Sequence, residues 1–537
     1  MTRLSASGRS RRRIGAWLAV AGLGLTLSFG SPAGAGAAGD PGLERTLDRV
    51  LADERLDGGA ASVVVSDAES GRVLYEHGSG TRLMPASNTK LATSVAAMAL
   101  LGPDHRFRTD VLTDGRRYGG VLRGDLYLRG TGDPTMLAED YDRLAKQLAD
   151  SGVRRVTGRL VADDTRFDDQ RLGRSWAADD ESAYYSSQIS PLSVAPDTDY
   201  DAGTVYIEAA PGDRPGDEPK VTVTPPNDYV TIDVRGTTVP EGERDTLGIE
   251  REHGNNTIVI DGDIPVGANP TRSWTSVWEP TGYAAAVFRD ALAEHGVRVQ
   301  GRTRLGRATP ADARRLAHHD SMPLSELMIP FMKLSNNNHA EVLTKAMGAQ
   351  ATGHGTWEAG LEAIEGYLKK EGVDTGELRQ VDGSGLSRMN LFPGGELADL
   401  LVSVRDAPWY DAWYASLPVA CESERMVGGT LRSRMCDTPA ARNAHAKTGS
   451  LTGASGLSGY VTDANGRELV FSILTNNYLA SSVKSLEDEL VVALASYGGE
   501  SGDAPAERNP GGPESAAPDR GAPVPSLECS WQKPLRC

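Results

Sequence analysis

Histidine is scarce in this chain, nine residues in 537, and no G-x-S-x-G elbow occurs. A serine–histidine–acid hydrolase of the usual kind is therefore disfavoured. Cysteine is scarcer still, with four residues, none in C-x-x-C spacing or close to histidine, which argues against a zinc site. His318-His319-Asp320 has no further ligand pattern around it, and Gly130-Thr131-Gly132 is too short for a dinucleotide loop and reads as a turn. No cofactor is expected. Long apolar runs are missing after residue 38, so no membrane span is expected in the mature chain. Positive charge is in the minority, 56 Lys and Arg against 73 Asp and Glu, and the net charge of −17 disfavours nucleic acid as a partner.

What is present begins with a targeting segment. Arg9, Arg11, Arg12 and Arg13 precede an apolar stretch over 14–29, and small residues over 33–38 offer cleavage sites. Residues 1–38 are therefore set aside as a signal peptide, and the mature protein is expected to be secreted, outside the cytoplasm. The cysteines agree with export. Local pairing, Cys421 with Cys436 and Cys529 with Cys537, is the simplest of three connectivities. Residues 499–537 form a Pro/Gly-rich tail expected to be disordered.

Between these ends the texture changes twice. Two β-branched runs, 61–66 and 72–76, predict an antiparallel hairpin, followed by an apolar helix ending near Gly102-Pro103. Over 103–308 short strands alternate with turns and two helices, 141–151 and 283–295. Beyond 309 the chain turns helical (324–347 and 355–370). It closes with strands at 444–448, 457–462 and 468–475 and a helix over 485–497. Asn465-Gly466 predicts a hairpin between the last two strands. Strands at both ends suggest one sheet uniting residues 39–102 with 309–498, interrupted by an inserted α+β region over 103–308.

Three motifs carry chemistry. Ser87-Asn88-Thr89-Lys90 opens the first helix, and i, i+3 spacing lets the lysine amine reach the serine hydroxyl. Ser335-Asn336-Asn337 interrupts a helical stretch, and Lys447-Thr448-Gly449-Ser450 lies on a strand. S-x-x-K, S-x-N and K-T-G in that order are the signature of the penicillin-recognising serine enzymes. Acyl transfer needs a nucleophile (Ser87), a base (Lys90, its pKa lowered by burial and by Lys447), and a proton relay to the leaving amine (Ser335). Asn337 would hold the substrate amide, and Lys447, Thr448 and Ser450 its terminal carboxylate. Gly449 would let substrate approach the strand, and the N–H groups of Ser87 and Ser450 would form the oxyanion hole.

Ser87 and Ser335 are separated by 248 residues, and Ser335 and Lys447 by 112. Such a long first interval, together with the segments 124–134 and 381–388, resembles the D-alanyl-D-alanine carboxypeptidase/endopeptidase family S13, the low-molecular-mass class C penicillin-binding proteins, in an actinobacterial form. The resemblance covers nearly all of the mature chain to about 498. It implies an α/β (α+β) serine β-lactamase/transpeptidase-like domain, with an antiparallel sheet flanked by helices and a large inserted region. It also implies cleavage of D-Ala-D-Ala in peptidoglycan stem peptides, DD-endopeptidase action on cross-links, and covalent inhibition by β-lactams. By the same resemblance Trp176, Asp179, Tyr184, Ser384 and Arg388 line a pocket for a diaminopimelyl side chain, Asp179 suiting its amine and Arg388 its carboxylate. Trp176 also suits a purely structural role, and Asp179 and Arg388 also suit solvated surface positions. Two rival functions remain on sequence grounds: an idle peptidoglycan-binding protein using the same cleft, and a β-lactamase, although no counterpart of the class A deacylating glutamate is evident.

Overall fold

The structure, a computed structural model, describes residues 41–499. The targeting segment over 1–38, the tail beyond 499 and the expected Cys529–Cys537 pairing lie outside the described residues.

Helix α1 (Pro41–Leu51) leads into the expected hairpin, β1 (Ala60–Asp67) and β2 (Val73–His77), with Val63 opposite His77. A tight turn over Ala86–Asn88 then feeds α2 (Thr89–Leu100). Residues Thr89 to Met98 of α2 are all buried, and small Ala, Ser and Thr side chains let neighbouring elements approach it from every side.

The middle of the chain builds a second sheet. Its strands are β3 (Arg108–Thr113), β4 (Leu126–Gly130), β5 (Leu160–Asp163), β6 (Arg304–Leu305) and β7 (Arg314–Asp320), in the spatial order β6-β5-β4-β3-β7. One face, carrying Val111, Leu126, Leu128, Leu160, Ala162 and Ala317, is buried with α3 (Ala138–Asp150) and α4 (Pro280–Glu294). Strands over 204–276 join the same core through Val205, Ile207, Ile258 and Ile260. Pairing of β7 with β3 carries this sheet to Asp320, beyond the change of texture near 309. The sequence of β7, RRLAHHD, shows little apolar alternation; backbone pairing, not a buried face, identifies it as a strand.

Four helices of ten residues or more follow: α5 (Leu324–Lys333), α6 (Asn337–Thr352), α7 (Trp357–Lys370) and α8 (Gly394–Ser403). Then come β8 (His445–Leu451), β9 (Ala454–Thr462), β10 (Glu468–Asn476) and α9 (Lys484–Ala495). The first sheet has the order β2-β1-β10-β9-β8, antiparallel throughout, with Ile473 opposite both Val63 and Leu457. One of its faces packs on α1 and α9 (Val63, Val65, Phe471, Ile473), the other on α2 and α8 (Val64, Val470, Leu474). Burial on both faces explains why β10 reads as an almost unbroken apolar run. Asn465-Gly466 makes the expected β9–β10 turn, with Gly466 at φ 81°. Cys421 and Cys436 form a disulfide, and Arg425 inside the loop pairs with Asp199 at 2.6 Å. Helices α1 and α8 are elements the sequence reading did not anticipate, and it expected strands over 204–276 without giving their bounds.

Candidate active site

Ser87 lies in the turn ahead of α2; regular α-helix begins two residues later, at Thr89. The preceding Ala86 has φ 46°, a left-handed conformation costly for a residue with a Cβ. Gly385 explains what holds it there: a Cβ on Gly385 would stand 1.8 Å from the Ala86 carbonyl oxygen, so the 382–385 loop presses directly on the nucleophile turn.

Lys90 is fully buried, and its Nζ lies 3.0 Å from Ser87 Oγ, 2.6 Å from Asn337 Oδ1 and 2.8 Å from the Ser384 carbonyl. A neutral amine has two N–H donors and one lone pair. Both carbonyl oxygens can only accept, so they fix the two N–H groups and leave the lone pair facing the Ser87 hydroxyl. Burial pulls the Lys90 pKa down to about 7, against the opposing pull of the Glu341 and Asp382 carboxylates. The neutral form is thus accessible near neutral pH. Lys447 is also fully buried, and burial together with the charge of Lys90 pushes its pKa far below the ordinary lysine value.

Ser335 sits between α5 and α6 with φ 58°, a second left-handed non-glycine residue at the centre. Lys447 Nζ donates to Ser335 Oγ at 2.8 Å and to the Thr448 carbonyl at 2.8 Å. In the S-x-N motif, helix capping and site formation fall to different residues. Asn336 caps α6 by accepting from the His339 N–H, while Asn337 faces Lys90 and donates through Nδ2 to the Tyr185 carbonyl at 2.8 Å. The Thr448 hydroxyl donates to Thr430 Oγ1 at 2.8 Å, and Ser450 is part-exposed further along β8. Gly449 has a reason the sequence did not reveal. A Cβ there would stand 2.6 Å from the Pro85 carbonyl and 2.7 Å from Asn88 Nδ2, so its absence lets β8 lie against the nucleophile turn.

Glu341 is the group that motif reading missed. It is fully buried, and its carboxylate accepts from Trp357 Nε1 (2.7 Å), Gly383 N–H (2.8 Å) and Ser384 N–H (2.8 Å). It therefore fixes the loop whose Ser384 carbonyl orients Lys90. Burial, and secondarily Asp382, raise its pKa to about 7. Asp382 is likewise buried and accepts from Gly385 N–H, Ser387 N–H, Asn390 Nδ2 and Trp176 Nε1. Lys345 follows on α6, donating to Asp168 and to the Gln170 carbonyl, with its amine 3.8 Å above the Trp357 ring. Asn337, Glu341 and Lys345 are spaced i, i+4, i+8, one stripe of a helix. That regular polar spacing is the sequence signal by which Glu341 was detectable.

The five residues grouped by resemblance are held very differently. The Trp176 indole donates to Asp382 at 3.0 Å and meets Trp357 edge-on, its ring tied into the network behind Lys90. Tyr184 packs on Tyr185, whose carbonyl accepts from Asn337; burial and Asp201 raise the Tyr184 pKa. Ser384 is fully buried, its carbonyl on Lys90 and its hydroxyl accepting from the Leu386 N–H. Arg388 is exposed and donates to the Thr452 carbonyl at the end of β8. Asp179 is exposed, with no hydrogen bond or ion pair among the described residues.

Comparison with known proteins bears on the whole chain. The D-alanyl-D-alanine carboxypeptidase of Actinomadura sp. (strain R39) is 43% identical over 97% of this chain and 96% of its own length. The crystal structure of penicillin binding protein 4 (dacB) from Haemophilus influenzae superposes with a TM-score of 0.72 at 26% identity, covering 84% of this chain and 97% of that one. A second crystal structure of that protein, complexed with a β-lactam, gives a TM-score of 0.67 at 25% identity, with the same coverage. The sequence pattern of the D-Ala-D-Ala carboxypeptidase 3 (S13) family matches residues 43–497. With a part-buried serine and a fully buried lysine paired at the head of α2, the chain belongs to the D-Ala-D-Ala carboxypeptidase 3 (S13) family of serine peptidases.

Proposed function

We propose that this carboxypeptidase acts on peptidoglycan stem peptides through an acyl-enzyme on Ser87. The observation that carries the reading is the Lys90 geometry: a buried amine with two N–H groups committed to carbonyls and its lone pair toward Ser87 Oγ. In the first step Lys90 takes the Ser87 proton as Oγ attacks the penultimate D-Ala carbonyl. The N–H groups of Ser87 and Ser450 stabilise the oxyanion. As the C–N bond breaks, the leaving D-Ala amine receives a proton from Ser335, and Lys447 reprotonates Ser335 along the 2.8 Å contact. The proton that Lys90 took from Ser87 returns to Lys447 through solvent, leaving Lys90 neutral for the second step. Water then adds to the ester, with Lys90 as base, and restores Ser87. A substrate carboxylate at Thr448 and Ser450 favours the charged form of Lys447, coupling substrate binding to the proton supply.

DD-endopeptidase action on cross-links follows from the same chemistry on a longer leaving group. The side-chain pocket fits the exposed rim, where Asp179 would take the amine and Arg388 the carboxylate of a diaminopimelyl end, with Trp176, Tyr184 and Ser384 behind them. Residues 39–102 with 309–498 form the catalytic unit in this reading, the intervening region an insertion, and the protein works outside the cytoplasm on the cell wall. β-Lactams acylate Ser87. Glu341 is fully buried and its carboxylate is committed to three N–H groups of the supporting loop and Trp357, so it is not placed to activate a hydrolytic water, which favours a long-lived adduct over β-lactamase turnover.

Mass spectrometry of the penicillin-treated protein tests the assignment. A single adduct on the peptide containing Ser87, absent from Ser87→Ala, is expected. No adduct, or one on another residue, would overturn the acyl-enzyme reading and leave the idle binding protein.

A further inference from the structure

Ser335 stands where a helix end ordinarily takes glycine. Helix α5 closes with the Asn336 N–H on the Phe331 carbonyl at 3.0 Å, the six-to-one bond of a Schellman end, and the residue before Asn336 is then left-handed. A residue with a Cβ is costly there and stays only where its surroundings over-determine it. The conformation has a use, because it leaves the Ser335 hydroxyl on Lys447. What holds it comes from far away in the chain, the segment 185–201.

Three successive asparagines grip that segment. Asn336 Nδ2 donates one proton to the Tyr200 carbonyl and the other to Asp201 Oδ1, both at 3.0 Å, while its Oδ1 accepts the His339 N–H. Asn337 donates to the Tyr185 carbonyl at 2.8 Å, and Asn338 to Ser187 Oγ at 3.0 Å. His339 Nε2 meets the Tyr200 carbonyl at 3.0 Å; a carbonyl only accepts, so that nitrogen carries the proton. Asn336, Asn338 and Asp201 are buried, so little water competes for these bonds. Tyr200 is itself left-handed at φ 59°, so a strained residue stands on each side of the joint.

Among these partners Asp201 is singled out by chemistry and place. Tyr185 and Tyr200 contribute backbone carbonyls, which any residue supplies. Ser187 bonds Asn338, already inside α6. Asp201 puts a carboxylate oxygen on the side chain next to Ser335, and a bond to such a group is the stronger kind. Lys90 is held by Asn337 and Ser384, through contacts that do not pass through Asp201.

We infer that Asp201 is a positioning residue for proton delivery: through Asn336 it holds Ser335 in the left-handed conformation that keeps its hydroxyl on Lys447. The inference rests on the proton relay proposed above and names what keeps it aligned. In the step it serves, the C–N bond breaks, the nitrogen keeps the electron pair and takes the Ser335 proton, and Lys447 restores that proton. Asp201 touches no reacting atom. Without it Asn336 can turn, and Ser335 relaxes away from Lys447.

Leaving-group chemistry separates this role from a merely structural one. A D-Ala-D-Ala peptide loses an amine that must be protonated as it departs; a thioester analogue of the same peptide loses a thiolate that need not be. Both are compared by kcat/KM on the intact protein, and thioester turnover reports that Ser87 and Lys90 remain assembled in each variant. Ser335→Ala, the reference, should lower both and the amide by far more. Asp201→Ala should lower the amide about tenfold, the scale of one lost hydrogen bond to a charged group, and the thioester much less. Asp201→Asn, which keeps an acceptor oxygen for Asn336, should restore most of the amide rate. The inference is overturned if Asp201→Ala lowers both substrates alike or neither, or if Asp201→Asn is as impaired as Asp201→Ala. If Ser335→Ala lowers both alike, the relay itself falls and the inference with it.

Discussion

The centre around Ser87 and the rim around Asp179 and Arg388 are neighbours built to opposite standards. At the centre the two lysine amines are fully buried and each has two or three fixed partners; Lys90 alone contacts Ser87, Asn337 and Ser384. At the rim Arg388 has one backbone acceptor, and Asp179 is exposed with no hydrogen bond or ion pair among the described residues. Bond making demands positions held to a fraction of an ångström. Recognition of a long side chain tolerates mobile charged groups that keep their water until substrate arrives. The centre should therefore fail in kcat for every substrate, and the rim in selectivity between substrates.

The sharpest test of that division is removal of the nucleophile. Ser87→Ala should lower D-alanine release from a soluble peptide by about 10⁴-fold or more; near-normal turnover would place the chemistry elsewhere. Glu341→Gln comes next. It exchanges one acceptor oxygen for an amide that cannot accept from the loop N–H groups, loosening the Ser384 carbonyl behind Lys90, and a loss of about 10²-fold in kcat is expected. Glu341 also helps keep Lys90 charged, so the pH profile reports its second effect. In the parent enzyme acylation requires neutral Lys90, so the rate climbs as pH rises through about 7. In Glu341→Gln that rise should move to lower pH. A loss of kcat with an unmoved profile would make Glu341 merely structural.

Arg388→Ala probes the rim. Turnover of a stem peptide with a free diaminopimelyl end should fall about tenfold, as expected for one lost charge-assisted contact, while penicillin acylation of Ser87 stays unchanged. Equal losses in both assays would dissolve the distinction between rim and centre. The smallest effect on activity belongs to the cystine loop. Cys421→Ser with Cys436→Ser should leave kcat intact and reduce unfolding free energy by about 3 kcal/mol, the loop-closure value for a ring of this size, read from denaturant midpoints.

The three motifs, the terminal hairpins and the single sheet uniting both ends were legible because each rests on local rules: i, i+3 spacing, period-two alternation and turn residues. What escaped depends on distant partners. Gly385 and Gly449 look like ordinary turn and strand glycines until the Ala86 and Pro85 carbonyls are seen beside them. Glu341 resembles a surface helix residue unless its spacing from Asn337 and Lys345 is noticed. Strand β7 has only Leu316 and Ala317 as apolar residues, side by side, so no period-two alternation marks it, and only its pairing with β3 reveals it. Lys90 was expected to owe its low pKa partly to Lys447, but burial dominates and the nearby carboxylates oppose it.

The strand order β2-β1-β10-β9-β8 carries a consequence for when this enzyme comes into being. Strand β1 is made long before its neighbour β10 leaves the ribosome. Lys90 and Asn337 are 247 residues apart, and Lys447 joins them only with β8. No growing chain can hold a working centre, because half of it has not yet been made. Such long-range closure also slows folding. A peptidase wired in this way is inert throughout its own manufacture, and acquires its activity only when β1 and β10 meet.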